Sequence, residues 1–160
     1  MRIAGVDPGV TGGMALYADG TLFEVVDMPV FDGTASGEGI AHLLGSWLPE
    51  VVVVEFVQPM PKNGSIASFS LGKNFGIVLG VAGAMSYPLV KMRPNEWKKR
   101  MGLLKKPKSA SRGMATELWP THADCFRLAK HDGRAEAALI ARAHAFDLIH
   151  SFNEQQGANQ

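Results

Sequence analysis

The chain's 160 residues include one cysteine, Cys125, so no intrachain disulfide can staple the fold. Stability must come from a buried core. A hydrophobic content of 46 % allows one, and the lone thiol reads as inert packing in a reducing compartment. Long apolar runs are missing too: the strongest, Val51 to Val54, is far too short to span a bilayer. Near the N-terminus, Asp7 and a string of glycines interrupt any secretory core. The expectation is a soluble cytoplasmic protein. No internal repeat or domain boundary is visible. The length suits one domain over 1–150 with a disordered polar tail at 151–160.

Acids are scarce in one stretch. From Lys91 to Arg112 there are nine basic residues and a single acid, Glu96, whereas the other 138 residues hold seven basic residues and fourteen acids. Such segregation favours an anionic partner, although a solvated helix pair with ordinary lysines gives the same count. Lys98, Lys99, Arg100, Lys105, Lys106, Lys108 and Arg112 form a candidate track for a nucleic-acid backbone. Its contacts would be to phosphate and carry no sequence information.

Residues 2–7, 11–18 and 21–28 read as a three-stranded meander, with Asp19-Gly20 as a hairpin turn. Residues 31–37 read as a loop. Ile40, Leu43, Leu44, Trp47 and Leu48 then share one helical face until Pro49 ends the helix. Val51 to Phe56 reads as a buried strand, since β-branched runs favour strands covered on both faces. Two prolines, Pro59 and Pro61, end it. A helix over about 68–85 carries glycines at 72, 76, 80 and 83, a stripe that permits close packing against a sheet or another helix. Leu89 to Met92 is a fifth strand. Helices are expected from Pro94, over 109–118 and over 132–149. The predicted fold is α/β: a mixed five-stranded sheet, three antiparallel strands then parallel ones, with helices on both faces.

Four acids stand out against this frame. Asp7 closes the first strand and precedes the glycine-rich turn Pro8-Gly9-Val10-Thr11-Gly12-Gly13, where small residues let an anionic substrate approach. Glu55 ends an otherwise apolar strand, and a carboxylate there is costly to bury unless paired or bound to metal. Asp132 and Glu136 lie four apart on one helical face, where they repel unless a cation sits between them. Asp132 also suits an N-terminal cap, and early acids suit the helix dipole. An all-oxygen set favours Mg²⁺ or Mn²⁺. Two such ions can activate water and stabilise the leaving 3′ oxygen in phosphodiester cleavage.

Gly5-Val6-Asp7-Pro8-Gly9 with Thr11-Gly12, Val53-Val54-Glu55, Pro61-Lys62-Asn63-Gly64, Leu71-Gly72 with Gly76, Pro94 with Trp97-Lys98, and Ala135-Glu136-Ala137 form an ordered set of motifs. In these the chain resembles the RuvC-type Holliday junction resolvases of the RNase H-like superfamily, closest to the short phage-encoded branch. The matches extend from residue 2 to about 145. The resemblance implies a homodimer that makes paired nicks across a four-way DNA junction. It also implies that Asp7, Glu55 and two acids of the last helix bind the metal. One departure stands: the family places two aspartates three apart on that helix, and here Gly133 is three before Glu136. Asp132 is the favoured fourth ligand, with His131 as the alternative. Lys62, Asn63 and Lys73 are candidate phosphate contacts. Trp97 and Trp119 read as core.

An actin-like ATPase or sugar kinase also begins with an acid and a glycine-threonine turn. That fold needs a second nucleotide-binding half, for which the chain is too short. An RNase H-like nuclease of other specificity, debranching or RNA-processing, shares the same metal core and stays open. A non-catalytic junction scaffold would lack the carboxylates.

Overall fold

Arg2–Asp7 (β1), Gly13–Ala18 (β2) and Thr21–Asp27 (β3) form the expected antiparallel meander in a computed structural model that describes residues 1–58 and 64–157. The loop expected over 31–37 holds a second hairpin instead, Val30–Phe31 (β4) paired with Thr34–Ala35 (β5). Asp32 and Gly33 at its tip both take positive φ, 48° and 67°, as a two-residue hairpin turn requires. Strands this short carry too little alternation to be visible in a sequence.

Helix α1 (Gly37–Trp47) starts where the Ser36 hydroxyl accepts from the Gly39 amide at 3.1 Å, and it ends with Leu48 in the left-handed region before Pro49. Strand β6 (Val51–Glu55), helix α2 (Ser65–Ala84), strand β7 (Leu89–Met92) and helices α3 (Pro94–Arg100) and α4 (Ser109–Leu118) follow. Two 3-10 turns, Pro120–Phe126 and Ala129–His131, lead into α5 (Asp132–Gly157). Helix α5 thus runs past 149 into the stretch expected to be a disordered tail.

The sheet order is β3-β2-β1-β6-β7, with β1–β6 and β6–β7 parallel. This is the predicted α/β arrangement, a mixed five-stranded sheet with three antiparallel strands followed by parallel ones. Alternation along β1 and β6 sorts side chains to two cores. Ile3, Val51 and Val53 meet Trp97, Phe126 and the alanines of α5 on one face. Ala4, Val6, Val52 and Val54 meet Ile40, Leu44 and Val78 on the other. Helix α5 lies directly on β1, because Gly5 has no side chain: a Cβ there would overlap the Ala137 carbonyl.

Helix α2 is covered on one side only. Asn74, Val78 and Ala82 are buried, and the Asn74 amide oxygen accepts from the Ala35 amide at 3.0 Å. Ile66 and Phe69 are 85 % and 74 % exposed. A Cβ at Gly72, Gly76, Gly80 or Gly83 would meet nothing within 4 Å among the described residues. By length and a mean hydropathy of 1.3 this helix is apolar enough to cross a bilayer, which a search for unbroken apolar runs misses. The glycine stripe therefore faces outward and packs on nothing among the described residues.

Candidate active site

Strand register builds the site. Val6 pairs with Val54 across the parallel β1–β6 ladder, so Asp7 and Glu55 leave adjacent strands side by side. Each lies two residues beyond a position on the α5 face, Gly5 and Val53, so both carboxylates emerge toward α5. Glu136, on the first turns of α5, is 6 % exposed and completes the group.

The electrostatics record this convergence. Burial, then the charges of Glu55 and Glu136, push Asp7 up to about 7, against opposition from the Gly9 amide and Lys108. Burial also raises Glu136; Glu55 and Asp132 add to the effect, while Lys98 and Lys108 oppose it. Among the described residues Asp7 accepts only a long 3.4 Å bond from the Gly9 amide. Three acids thus concentrate negative charge at one sheet edge.

Helix α3 supplies their partners. The Trp97 indole Nε1 donates to Glu55 Oε1 at 2.8 Å. The Lys98 ammonium lies 3.9 Å from Glu136 Oε1 and 5.0 Å from the centre of the Trp97 ring. Trp97 is fully buried, as expected for core, but its contact with Glu55 was not legible. Forty-two residues separate the pair, and only the fold brings them together.

The helical pair Asp132 and Glu136 is divided between two environments. Asp132 Oδ1 accepts from Arg112 Nε at 2.6 Å, so a cation already engages it. His131 is buried beside Arg134 and Asp27; its Nδ1 accepts from the Leu128 amide at 3.3 Å, and burial, then the Arg134 charge, hold its pKa down. Neither residue is among the leading influences on Asp7.

Gly133 explains why the helix departs from the aspartate pair of the resolvase pattern. A Cβ at 133 would overlap the backbone of Thr11 and Gly12, and a Cβ at Gly13 would come within 2.9 Å of Arg134. The glycine turn after Asp7 therefore lies backbone to backbone on the first turn of α5, leaving no room for a side chain at 133. Arg134 reinforces the joint through two 2.6 Å bonds to Asp27 at the end of β3. This buttress was not recognised from the sequence.

The donor chemistry fits a hard divalent cation, since the converging groups are carboxylates with no sulfur or imidazole among them. Among the described residues no group of three or more His, Cys, Asp or Glu side chains stands ready in ligating geometry, so the fit is one of charge and donor type.

The basic candidates divide as well. Lys99, Lys105, Lys106 and Lys108 are exposed, with Lys98 half-buried at the acids. Arg100 is bound to Asp147 at 2.6 Å and Arg112 to Asp132. Lys73 donates to Thr34 Oγ1 at 2.7 Å, tying α2 to the β4–β5 hairpin. Lys62 and Asn63 lie outside the described residues.

No protein-family model matches the chain, and no curated protein sequence matches it. Solved structures do. Thermus thermophilus RuvC in complex with a Holliday junction substrate superposes with a TM-score of 0.69 at 23 % identity, over 92 % of this chain and 94 % of that one. A second Thermus thermophilus RuvC structure gives 0.63 at 22 %, over 94 % and 97 %. The fowlpox virus Holliday junction resolvase gives 0.56 at 16 %, over 92 % and 99 %. At these identities the likeness is one of fold.

Proposed function

We propose that this chain is a divalent-metal-dependent endonuclease that resolves Holliday junctions and related branched DNA by paired phosphodiester nicks. The observation that carries the reading is the convergence of Asp7, Glu55 and Glu136 on the α5 side of one sheet edge. The near-complete overlap with junction resolvases supports it.

Asp7, Glu55 and Glu136 would hold Mg²⁺ or Mn²⁺, with Asp132 at the edge of the set. Such ions, when bound, would supply activation of a water and stabilisation of the leaving 3′ oxygen. Asp7 contributes as carboxylate and so must lose its proton first. Trp97 holds Glu55, and Lys98 offsets the charge of Glu136. Lys99, Lys105, Lys106 and Lys108 offer phosphate contacts to a duplex arm.

The outward glycine stripe of α2, with Phe69 and Ile66 beside it, supports a homodimer formed through this helix. Two-fold symmetry would then present two sites to a junction of similar symmetry.

The test is nicking of a synthetic mobile four-way junction, a fork and linear duplex, with Mg²⁺ and Mn²⁺ in turn. Paired symmetric nicks confined to the four-way junction are expected. Equal cutting of all branched forms would point to a debranching nuclease, and no cutting of any form would refute the proposal.

A further inference from the structure

The hydrogen bond from α3 to Glu55 has a chemistry that sets it apart from the site's other contacts. Glu55 ends a strand that fixes its Cα, but three side-chain torsions remain free to swing its carboxylate. The Trp97 indole N–H stops that swing at 2.8 Å. The donor is rigid, because Trp97 is fully buried in the α5-side core. It is also uncharged and cannot accept a proton. A lysine or arginine in the same place would neutralise the carboxylate and compete with a cation; an indole orients one oxygen and leaves the negative charge available.

The ring has a second use. Lys98 sits over its face at 5.0 Å from the centre while reaching Glu136 Oε1 at 3.9 Å. One buried side chain therefore holds Glu55 directly and braces Lys98, the partner of Glu136. Building on the metal-site reading above, we infer that Trp97 is a positioning residue for the metal site: its N–H fixes the Glu55 carboxylate for the ion, and its ring seats Lys98 against Glu136. The bland alternative is that Glu55 merely satisfies a buried indole, and the two predict different metal affinities. Groups that orient a metal ligand change affinity by about 10- to 100-fold when removed.

The experiment is Mn²⁺ binding by calorimetry at pH 8 on the full chain, with the melting temperature of the metal-free protein alongside. Trp97→Phe removes the donor. A second variant carries benzothienylalanine at 97, which keeps the indole's shape and replaces N–H by sulfur. At least ~10-fold weaker Mn²⁺ binding is expected in both. The isostere should melt as the wild type does, and its junction nicking should recover at high Mn²⁺. Wild-type Mn²⁺ affinity in the isostere would overturn the inference while leaving the proposed function standing. Absence of Mn²⁺ binding by the wild type would overturn both.

Discussion

Replacing Asp7 with asparagine removes one charge from the three-acid edge while keeping its shape. Asp7 titrates at about 7 in the folded protein against an ordinary value of 3.8. The folded state therefore binds a proton more tightly than the unfolded chain, and stability falls as pH rises between these two values. A gap of about 3 pH units corresponds to ~4 kcal/mol, fully developed above pH 7. The asparagine variant escapes this cost. In chelator, the Asp7→Asn protein should be more stable than wild type by up to about 4 kcal/mol at pH 8. The advantage should shrink by about 1.4 kcal/mol per pH unit from 7 down to 4. Mn²⁺ at a hundredfold excess over its dissociation constant should then restore about 2.7 kcal/mol to the wild type and little to the variant. Urea denaturation across pH 4–8, with and without Mn²⁺, measures all of this. A variant less stable than wild type at pH 8 in chelator would refute the electrostatic reasoning, because it would mean that Asp7 is well solvated or already paired.

Other perturbations follow from the same geometry. Glu136→Gln should reduce junction nicking by roughly 10³-fold, whereas Asp132→Asn, whose carboxylate is bound to Arg112, should cost about tenfold or less; equal losses in single-turnover assays would make Asp132 a full ligand rather than one at the edge of the set. Gly133→Ala drives a Cβ into the Thr11-Gly12 backbone and should cost about 1–3 kcal/mol in urea denaturation, with nicking falling alongside. Gly76→Glu places a charge on the open stripe of α2 and should give monomers in sedimentation with the helix content by circular dichroism unchanged; an unchanged dimer would move the interface elsewhere.

What the sequence made legible follows from how local each signal is. Strand alternation, the Asp19-Gly20 turn and the β-branched run at 51–54 act over a few residues; they placed the five main strands and put Asp7 and Glu55 at strand ends, while the β1–β6 pairing that sets the two acids side by side is a tertiary contact. The four-residue spacing of Asp132 and Glu136 was local as well. It predicted a shared face but not the cation that meets Asp132, because Arg112 arrives from another helix. Trp97 on Glu55, Arg134 on Asp27 and Gly133 on Gly12 are likewise tertiary contacts with no nearby pattern to announce them. The β4–β5 hairpin escaped notice because each strand is only two residues long.

The metal site itself can be tested by anomalous diffraction from crystals soaked in Mn²⁺ at pH 8, above the Asp7 titration at about 7. Density is expected among the Asp7, Glu55 and Glu136 carboxylates, with Asp132 still on Arg112 and Trp97 still on Glu55. No Mn²⁺ at the end of β1, or Mn²⁺ held by Asp132 and His131 without Asp7, would contradict a metal centre built on Asp7.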